Sequence, residues 1–508
     1  MFNQLMRLGA ETAIYGISTV IGRFLNFLLI PFYTNVLAPG DYGIIAYVYS
    51  LIAFANVIYS YGLESAYFKY SATLEIGTRE QNFTTPFISL FTTSVFFSIF
   101  ISVFAVPIGD ALAVPGSFGS ILYWSAGILA LDGITIIPFA SLRMEHKAKL
   151  FALIKFLSIL INVVLNLLLL LVFRMGVTGV FISGFIASAS SLIMLLPTIF
   201  RHIVPGFNTQ LWKELLRFGL PYIPSGLAAM AIQVIDRPIL RALTDDATVG
   251  IYQANYRLGI FMMLIVSMYE YAWRPFYFST AKDPNAKQIF ARVLTYLILL
   301  MGFVFLALTF FIDDIAKFSL FGRHIIGPGY WGGLGIVPIV LLGYLFLGIS
   351  TNFSAGIYIE KKTYYTPFIT IAGALVNIIV NFLLIPQYGM YGAAWATLAA
   401  YAVMALVTYL IVRTIYPVRY EWDRMLKIAG GTALCIILYY SIPINIISSN
   451  IVSFGWRILL LILFVTVILF LKFFKGEESQ FLKDLIWKSR GIKSSDGQDQ
   501  GPGYNNKE

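Results

Sequence analysis

Charge is scarce in this sequence. Only 12% of its 508 residues are Asp, Glu, Lys or Arg, against roughly 25% in a soluble domain. That shortage excludes a soluble fold for most of the chain. Cysteine is nearly absent. The single Cys435 rules out a disulfide within the chain and leaves the redox compartment unmarked. The three histidines, His146, His202 and His324, fall in loops far apart in sequence, so no metal-ligand spacing arises and no metal or cofactor is expected. Long polar connections are also missing. Membrane polymerases, ligases and glycosyltransferases generally need a sizeable external loop carrying carboxylates or arginines, so the chain is not expected to be an enzyme.

What is present is apolar. The chain is 59% hydrophobic and 16% aromatic, with a mean hydropathy of +0.80. This composition predicts an all-α, polytopic membrane protein. Fourteen apolar segments can be drawn, at 10–36, 42–68, 84–108, 117–140, 150–172, 176–199, 218–240, 248–274, 291–312, 333–357, 364–386, 390–412, 428–447 and 453–474. Trp124, Trp212, Trp331, Trp422 and Trp456 fall beside segment ends, as an aromatic belt requires. The first segment reads as a transmembrane helix rather than a signal peptide, because its apolar run is too long and further spans follow.

The net charge of +10 sits mostly in alternate loops. Arg143, Lys147 and Lys149 lie on one face, with Arg201, Lys213, Arg217, Lys361, Lys362 and the basic tail. The opposite face holds only Arg174, Arg241, Lys317, Arg323 and Arg457 in its connections. By the positive-inside rule both termini are expected in the cytoplasm, and the basic excess implies no nucleic-acid partner. Residues 478–488 (ESQFLKDLIWK) have the pattern of an amphipathic helix lying on the membrane surface, and 491–508 read as disordered.

The chain repeats itself. NVVLNLLLLLVFRMGVTG (162–179) recurs as NIIVNFLLIPQYGMYG (377–392), matching Asn162 and Asn166 to Asn377 and Asn381. Pro31, Gly43, Tyr49 and Leu51 match Pro238, Gly250, Tyr256 and Leu258 at one constant offset. Two copies of a six-span unit share one orientation, because six is even. A pseudo-twofold axis along the membrane normal would relate them around a central cavity, as in alternating-access transporters. The expected divisions are 1–205 for the first lobe, 206–418 for the second, 419–475 for two further helices, and 476–508 for the tail. The asparagine pairs read first as hydrogen-bonding groups between helices. The pairs Gly176/Gly179 and Gly389/Gly392 read as turn punctuation.

Charges inside the spans are the candidate site. On a helical projection Thr12, Tyr15, Thr19, Arg23, Asn26 and Tyr33 fall within an arc of roughly 80°. At about 1.5 Å per residue, Arg23 lies roughly 20 Å deep. An arginine there either lines a cavity or pairs with a mid-depth acid, and Asp132 in the fourth span is the candidate partner. In the second copy Arg257 is the mid-depth cation, with Gln253 on the same face. Gln233, Asp236 and Arg237 lie in the preceding span. Glu270 and Arg274 are spaced as a local helical pair. Lys155 either snorkels or pairs with Glu64. Mid-depth arginines suit an anionic, phosphate-bearing substrate. Prolines 31, 138, 221, 224, 238 and 275 can bend the spans a transporter would move.

The stretch AIYGISTVIGRFLNFLLIPFYTNVLAPGDYGIIAYVYS (13–50) resembles the start of bacterial polysaccharide and O-antigen repeat-unit flippases. KKTYYTPFITIAGALVNIIVNFLLIPQYGMYGAAWATLAAY (361–401) resembles their eleventh and twelfth helices. The resemblance covers about 1–475 and implies the multidrug/oligosaccharidyl-lipid/polysaccharide exporter superfamily, with 12 or 14 spans in two lobes. It implies a multi-pass protein of the bacterial inner membrane that flips undecaprenyl-pyrophosphate-linked oligosaccharide outward. It also implies basic cavity residues, Arg23 among them, that hold the pyrophosphate. Polysaccharide polymerase machinery and membrane lipids would be partners. Asp132, Asp236, Glu64 and Glu270 would be the groups available for proton or Na⁺ coupling. A multidrug–cation antiporter of the same fold is the alternative, and it would favour an acidic cavity.

Overall fold

A computed structural model describes residues 21–22, 24–320, 322–442 and 450–474. Among these residues the protein is helical except for one small hairpin, in which Ser319 pairs with His324 and Leu320 with Arg323. Thr19, Arg23 and the segment 478–488 lie outside the described residues.

Eleven described helices are long and apolar enough to cross a membrane, and a bent pair brings the number to twelve. The apolar segments therefore become spans much as hydropathy requires. The expected count of fourteen differs at both ends. Of the first segment, the described part is a short apolar helix, Phe24–Val36. Trp422–Ser441 is a helix of 20 residues that falls outside the count; Asp423, Arg424 and Lys427 dilute its apolar run.

The chain divides into two compact units, one ending at Tyr420 and one beginning at Glu421. In the first unit the elements that build the site are α1 (Leu29–Val36), α2 (Pro39–Ser60), α3 (Ser120–Met144), α4 (Ala148–Leu167) and α5 (Gly176–His202) from the first half. From the second half come α6 (Thr209–Gly219), α7 (Tyr222–Val234), α8 (Asp236–Leu243), α9 (Asp246–Tyr256) and α10 (Ile260–Thr280). They are joined by α11 (Val337–Phe353), α12 (Tyr365–Tyr388) and α13 (Met390–Ile415). In the second unit the Cys435 thiol reaches the Leu460 carbonyl at 3.5 Å and Arg424 lies over Phe473.

Local sequence explains where the helices start and break. Pro39 opens α2, where its missing N–H costs nothing. The Asp245 carboxylate caps α9 by accepting from Thr248 N at 2.8 Å. The bend of 43° between α6 and α7 falls at Pro221, whose ring cannot continue the helical ladder. Pro138 and Pro275, by contrast, lie inside unbroken helices. The amphipathic α6 buries Leu211 and Leu215 among Leu63, Phe83 and Leu142, so this segment packs into the core of the first half.

Candidate functional site

Polar side chains at mid-span converge because the spans that carry them face one another. A cavity of about 560 Å³ lies between the halves. Asn26, Asp132, Asn162 and Ser188 line it from the first half, and Arg237, Gln253 and Arg257 from the second. Tyrosines 33, 42 and 49 complete the wall. A second chamber of about 270 Å³ opens beside it and shares Asn26, Arg237, Gln253 and Arg257 with the larger one. Residues that hydropathy alone marks as costly thus sit where such residues belong in a membrane protein, around an interior space.

Arg257 occupies a break. The span that runs from Asp246 to Thr280 is α-helical on both sides, but Arg257–Gly259 form a single 3₁₀ turn. Such turns inside a helix commonly mark functional positions. Among the described residues, the Arg257 guanidinium makes no hydrogen bond or ion pair, and it borders both chambers. It is a half-buried cation with its forked donors available to an anion.

Arg237 differs. It is buried, and Asp236 beside it takes Nη1 at 2.5 Å. The Tyr252 hydroxyl donates to the other Asp236 oxygen at 2.5 Å, Arg237 Nε donates to Gln253 Oε1 at 3.0 Å, and Tyr256 stacks under the guanidinium at 4.5 Å. A buried ion pair needs this kind of additional bonding to offset desolvation. Among the described residues, Nη2 is the part of this guanidinium without a hydrogen-bond partner.

The first half presents an acid instead. Asp132 Oδ1 accepts from the Ser188 hydroxyl at 2.7 Å. Among the described residues Lys155 makes no ion pair; its ammonium sits 4.0 Å above the Phe139 ring. Its expected partner is engaged elsewhere, since Glu64 binds Arg143 at 2.7 Å. The physical reason is reach: the guanidinium brings a charge-assisted hydrogen bond to the carboxylate, while the lysine stem lies on the ring. Glu270 and Arg274 form the local pair their spacing predicts, at 2.5 Å, beside a separate cavity of about 250 Å³.

The sequence reading missed most of the tyrosines and Ser188. Tyr33 was legible as part of the polar stripe of the first span; Tyr42, Tyr49 and Ser188 carry no period that separates them from lipid-facing neighbours.

The halves also meet at the end where α2 and α9 begin. Gly43 and Gly250 are matched by the repeat, and here they touch. A Cβ on Gly43 would lie 1.7 Å from the Asp246 carbonyl oxygen, and one on Gly250 would lie 1.9 Å from that of Pro39. Around them Arg241 donates to the carbonyls of Leu112 and Ala113 at 2.9 and 2.7 Å, and Tyr330 donates to Leu37 at 3.0 Å. At the opposite end Gly62 approaches Gly219 equally closely, and a Cβ there would meet the Gly219 oxygen at 2.2 Å. At that end Glu145 joins Lys147 at 2.6 Å and the His202 ring. Partial burial works against its carboxylate, but Lys147 and His202 hold it below the usual carboxylate range.

Polar groups facing an interior cavity between two repeated helical lobes define a transporter fold. The structure is similar to that of a lipid II flippase MurJ in an inward closed conformation, with a TM-score of 0.72 and 16% identity, covering 93% of this chain and 100% of that one. It is also similar to MATE-family multidrug transporters of the MOP superfamily. An inward-facing example gives 0.61 at 14% identity, covering 80% of this chain and 96% of that one. An outward-facing one gives 0.53 at 14% identity, covering 81% and 97%. Comparison with the curated proteins gives no match. Residues 8–281 match the family described as polysaccharide biosynthesis protein, and the chain belongs to that family.

Proposed function

We propose that this protein flips undecaprenyl-pyrophosphate-linked oligosaccharide repeat units from the cytoplasmic to the outer leaflet, for surface polysaccharide synthesis, by alternating access. One observation carries the reading: Arg257, unpartnered among the described residues, stands at a helix break in a polar cavity between two lobes. A guanidinium in that setting suits a pyrophosphate, which accepts its parallel donors. The family membership supports a role in polysaccharide synthesis.

In this reading Arg23 is a second anion-binding residue, either on the phosphate directly or holding Asp132. Asn26, Thr19, Gln253 and Asp132 meet the glycan. The basic loops support cytoplasmic termini in a bacterial inner membrane, an orientation in which the Gly43–Gly250 contact lies on the outer side. Asp132, which faces the cavity, is the acid available for H⁺ or Na⁺ coupling, and a polysaccharide polymerase takes the product. The second reading is a multidrug–cation antiporter. Asp132 and the likeness to MATE transporters favour it.

The test is flipping in proteoliposomes of a fluorescent undecaprenyl-pyrophosphate oligosaccharide. Removing charge-assisted hydrogen bonds costs ~1.5–3 kcal/mol, so Arg257→Ala should slow flipping about 10- to 100-fold, with Arg257→Lys intermediate. Unchanged flipping by Arg257→Ala at equal protein level overturns the role of Arg257. Efflux of cationic dyes in place of lipid flipping establishes the antiporter.

A further inference from the structure

The smaller chamber differs from the larger in what lines it. Tyr256, Tyr344 and Tyr401 form one wall and Phe27 and Met263 another. Tyr344 donates to the Tyr256 hydroxyl at 3.3 Å, and its ring lies tilted 6.0 Å from that of Tyr401. The Tyr401 hydroxyl makes no hydrogen bond among the described residues. Three amides, Asn26, Gln233 and Gln253, border the same space. Among the described residues Gln253 uses only its oxygen, on Arg237 Nε, and its NH₂ makes no hydrogen bond. Aromatic faces with polar tips, set among amides that both donate and accept, match a ligand with apolar faces and a rim of hydroxyls.

We propose that this chamber seats one sugar ring, the one bonded directly to the pyrophosphate. The proposal rests on the flippase reading above. Two observations fix which ring. The chamber and the main cavity share Arg257 and Arg237, so a phosphate held there stands at the junction, and the ring attached to it reaches the tyrosines. At about 270 Å³ the chamber is smaller than ligand pockets of ~300–1,000 Å³, so it takes a ring while the larger cavity takes the rest of the glycan. A polyprenyl chain fits the chemistry poorly, because it would offer no hydrogen bond to the Tyr401 hydroxyl or to the Gln253 amide NH₂. A cationic ligand is disfavoured by the two arginines.

The experiment measures binding of two probes to the purified full-length protein in nanodiscs. One is undecaprenyl pyrophosphate, and the other is the same lipid carrying a single N-acetylglucosamine. Wild type should bind the glycosylated probe more tightly. Tyr344→Leu and Tyr401→Leu should weaken the glycosylated probe three- to tenfold, the range of one aromatic contact, and leave the bare lipid unchanged. Tyr401→Phe, which keeps the ring and removes only the hydroxyl, should fall between them. The unchanged bare lipid also shows that the variants are folded. Arg257→Ala should weaken both probes. Equal loss of both probes in the tyrosine variants overturns the sugar seat and assigns the chamber to the lipid. Equal affinity of wild type for the two probes overturns the sugar seat while the flippase reading stands. No binding of either probe overturns both.

Discussion

In the first half Asp132 faces the main cavity and is held, among the described residues, by one serine hydroxyl. In the second half Asp236 is 1% exposed and bound by Arg237 and Tyr252. Within the second half the cations divide in the same way: Arg257 is unpartnered among the described residues, while Arg237 is paired. Two copies of one backbone plan thus use charge in two ways. Where a counter-charge and hydrogen bonds enclose an ion, it stabilises helix packing. Where only one weak partner is present, it remains available to a ligand. The asparagine pairs repeat the lesson. Asn166 donates to the Asn162 carbonyl at 2.8 Å, and Asn381 donates to that of Asn377 at the same distance. In the first half Tyr33 adds a bond to Asn166 Oδ1 at 2.8 Å. In the second the position matched to Tyr33 is Leu240, and Asn381 Oδ1 has no partner among the described residues.

Unequal stability effects at the two acids would sharpen this comparison most. Asp236→Ala leaves Arg237 buried and unpaired, an effect of about 3–5 kcal/mol, so thermal unfolding of the purified protein should fall steeply or the protein should fail to accumulate. Asp132→Ala loses one hydrogen bond in a polar cavity and should stay within about 1 kcal/mol of wild type. Equal losses would break the contrast between a structural acid and a free one.

The glycine seam comes next. Gly43→Ala and Gly250→Ala each place a methyl group against a backbone carbonyl, and overpacking of this kind costs about 1–3 kcal/mol. In a Cys435→Ser background, a reporter Ser50→Cys in the cavity should be labelled faster by a water-soluble thiol reagent in both variants, and to the same extent. A response in only one of them would show that the two contacts are not equivalent.

The smallest effect belongs to Tyr33→Phe. It strands Asn166 Oδ1 and should lower stability by about 1 kcal/mol, read as a small shift in thermal unfolding with export preserved. No loss at all would mean that the tyrosine bond adds nothing to the first asparagine pair, and this difference between the halves would vanish.

Much of this was legible beforehand, for a physical reason. Insertion into a membrane selects on summed hydropathy, which is a property of the sequence itself, so most spans fall where apolar runs lie. Depth along a helix is equally local, and it placed Asp132, Gln253 and Arg257 on the cavity wall. Partner choice is not local. Glu64 chose Arg143 over Lys155 because of which side chain reaches across to it from another helix. The 3₁₀ turn at Arg257 follows no proline, and Gly259 alone does not announce a broken helix. Gly43 and Gly250 were visible as a repeat, but nothing in their spacing said that they meet. Arg23 lies outside the described residues and keeps its role as a proposal.

That meeting has a consequence for how the chain was built. Gly43 rests on the strand of backbone that carries Asp246, and Gly250 rests on the one that carries Pro39, so each copy gives the other the contact it receives. A self-complementary contact of this form is what two identical subunits make across a twofold axis. The seam therefore has the form of a twofold interface held within a single polypeptide. Each of its two contacts can be altered by itself, because Gly43 and Gly250 are separate positions, and a bulky side chain introduced on one side has no freely drifting partner on the other to make room for it.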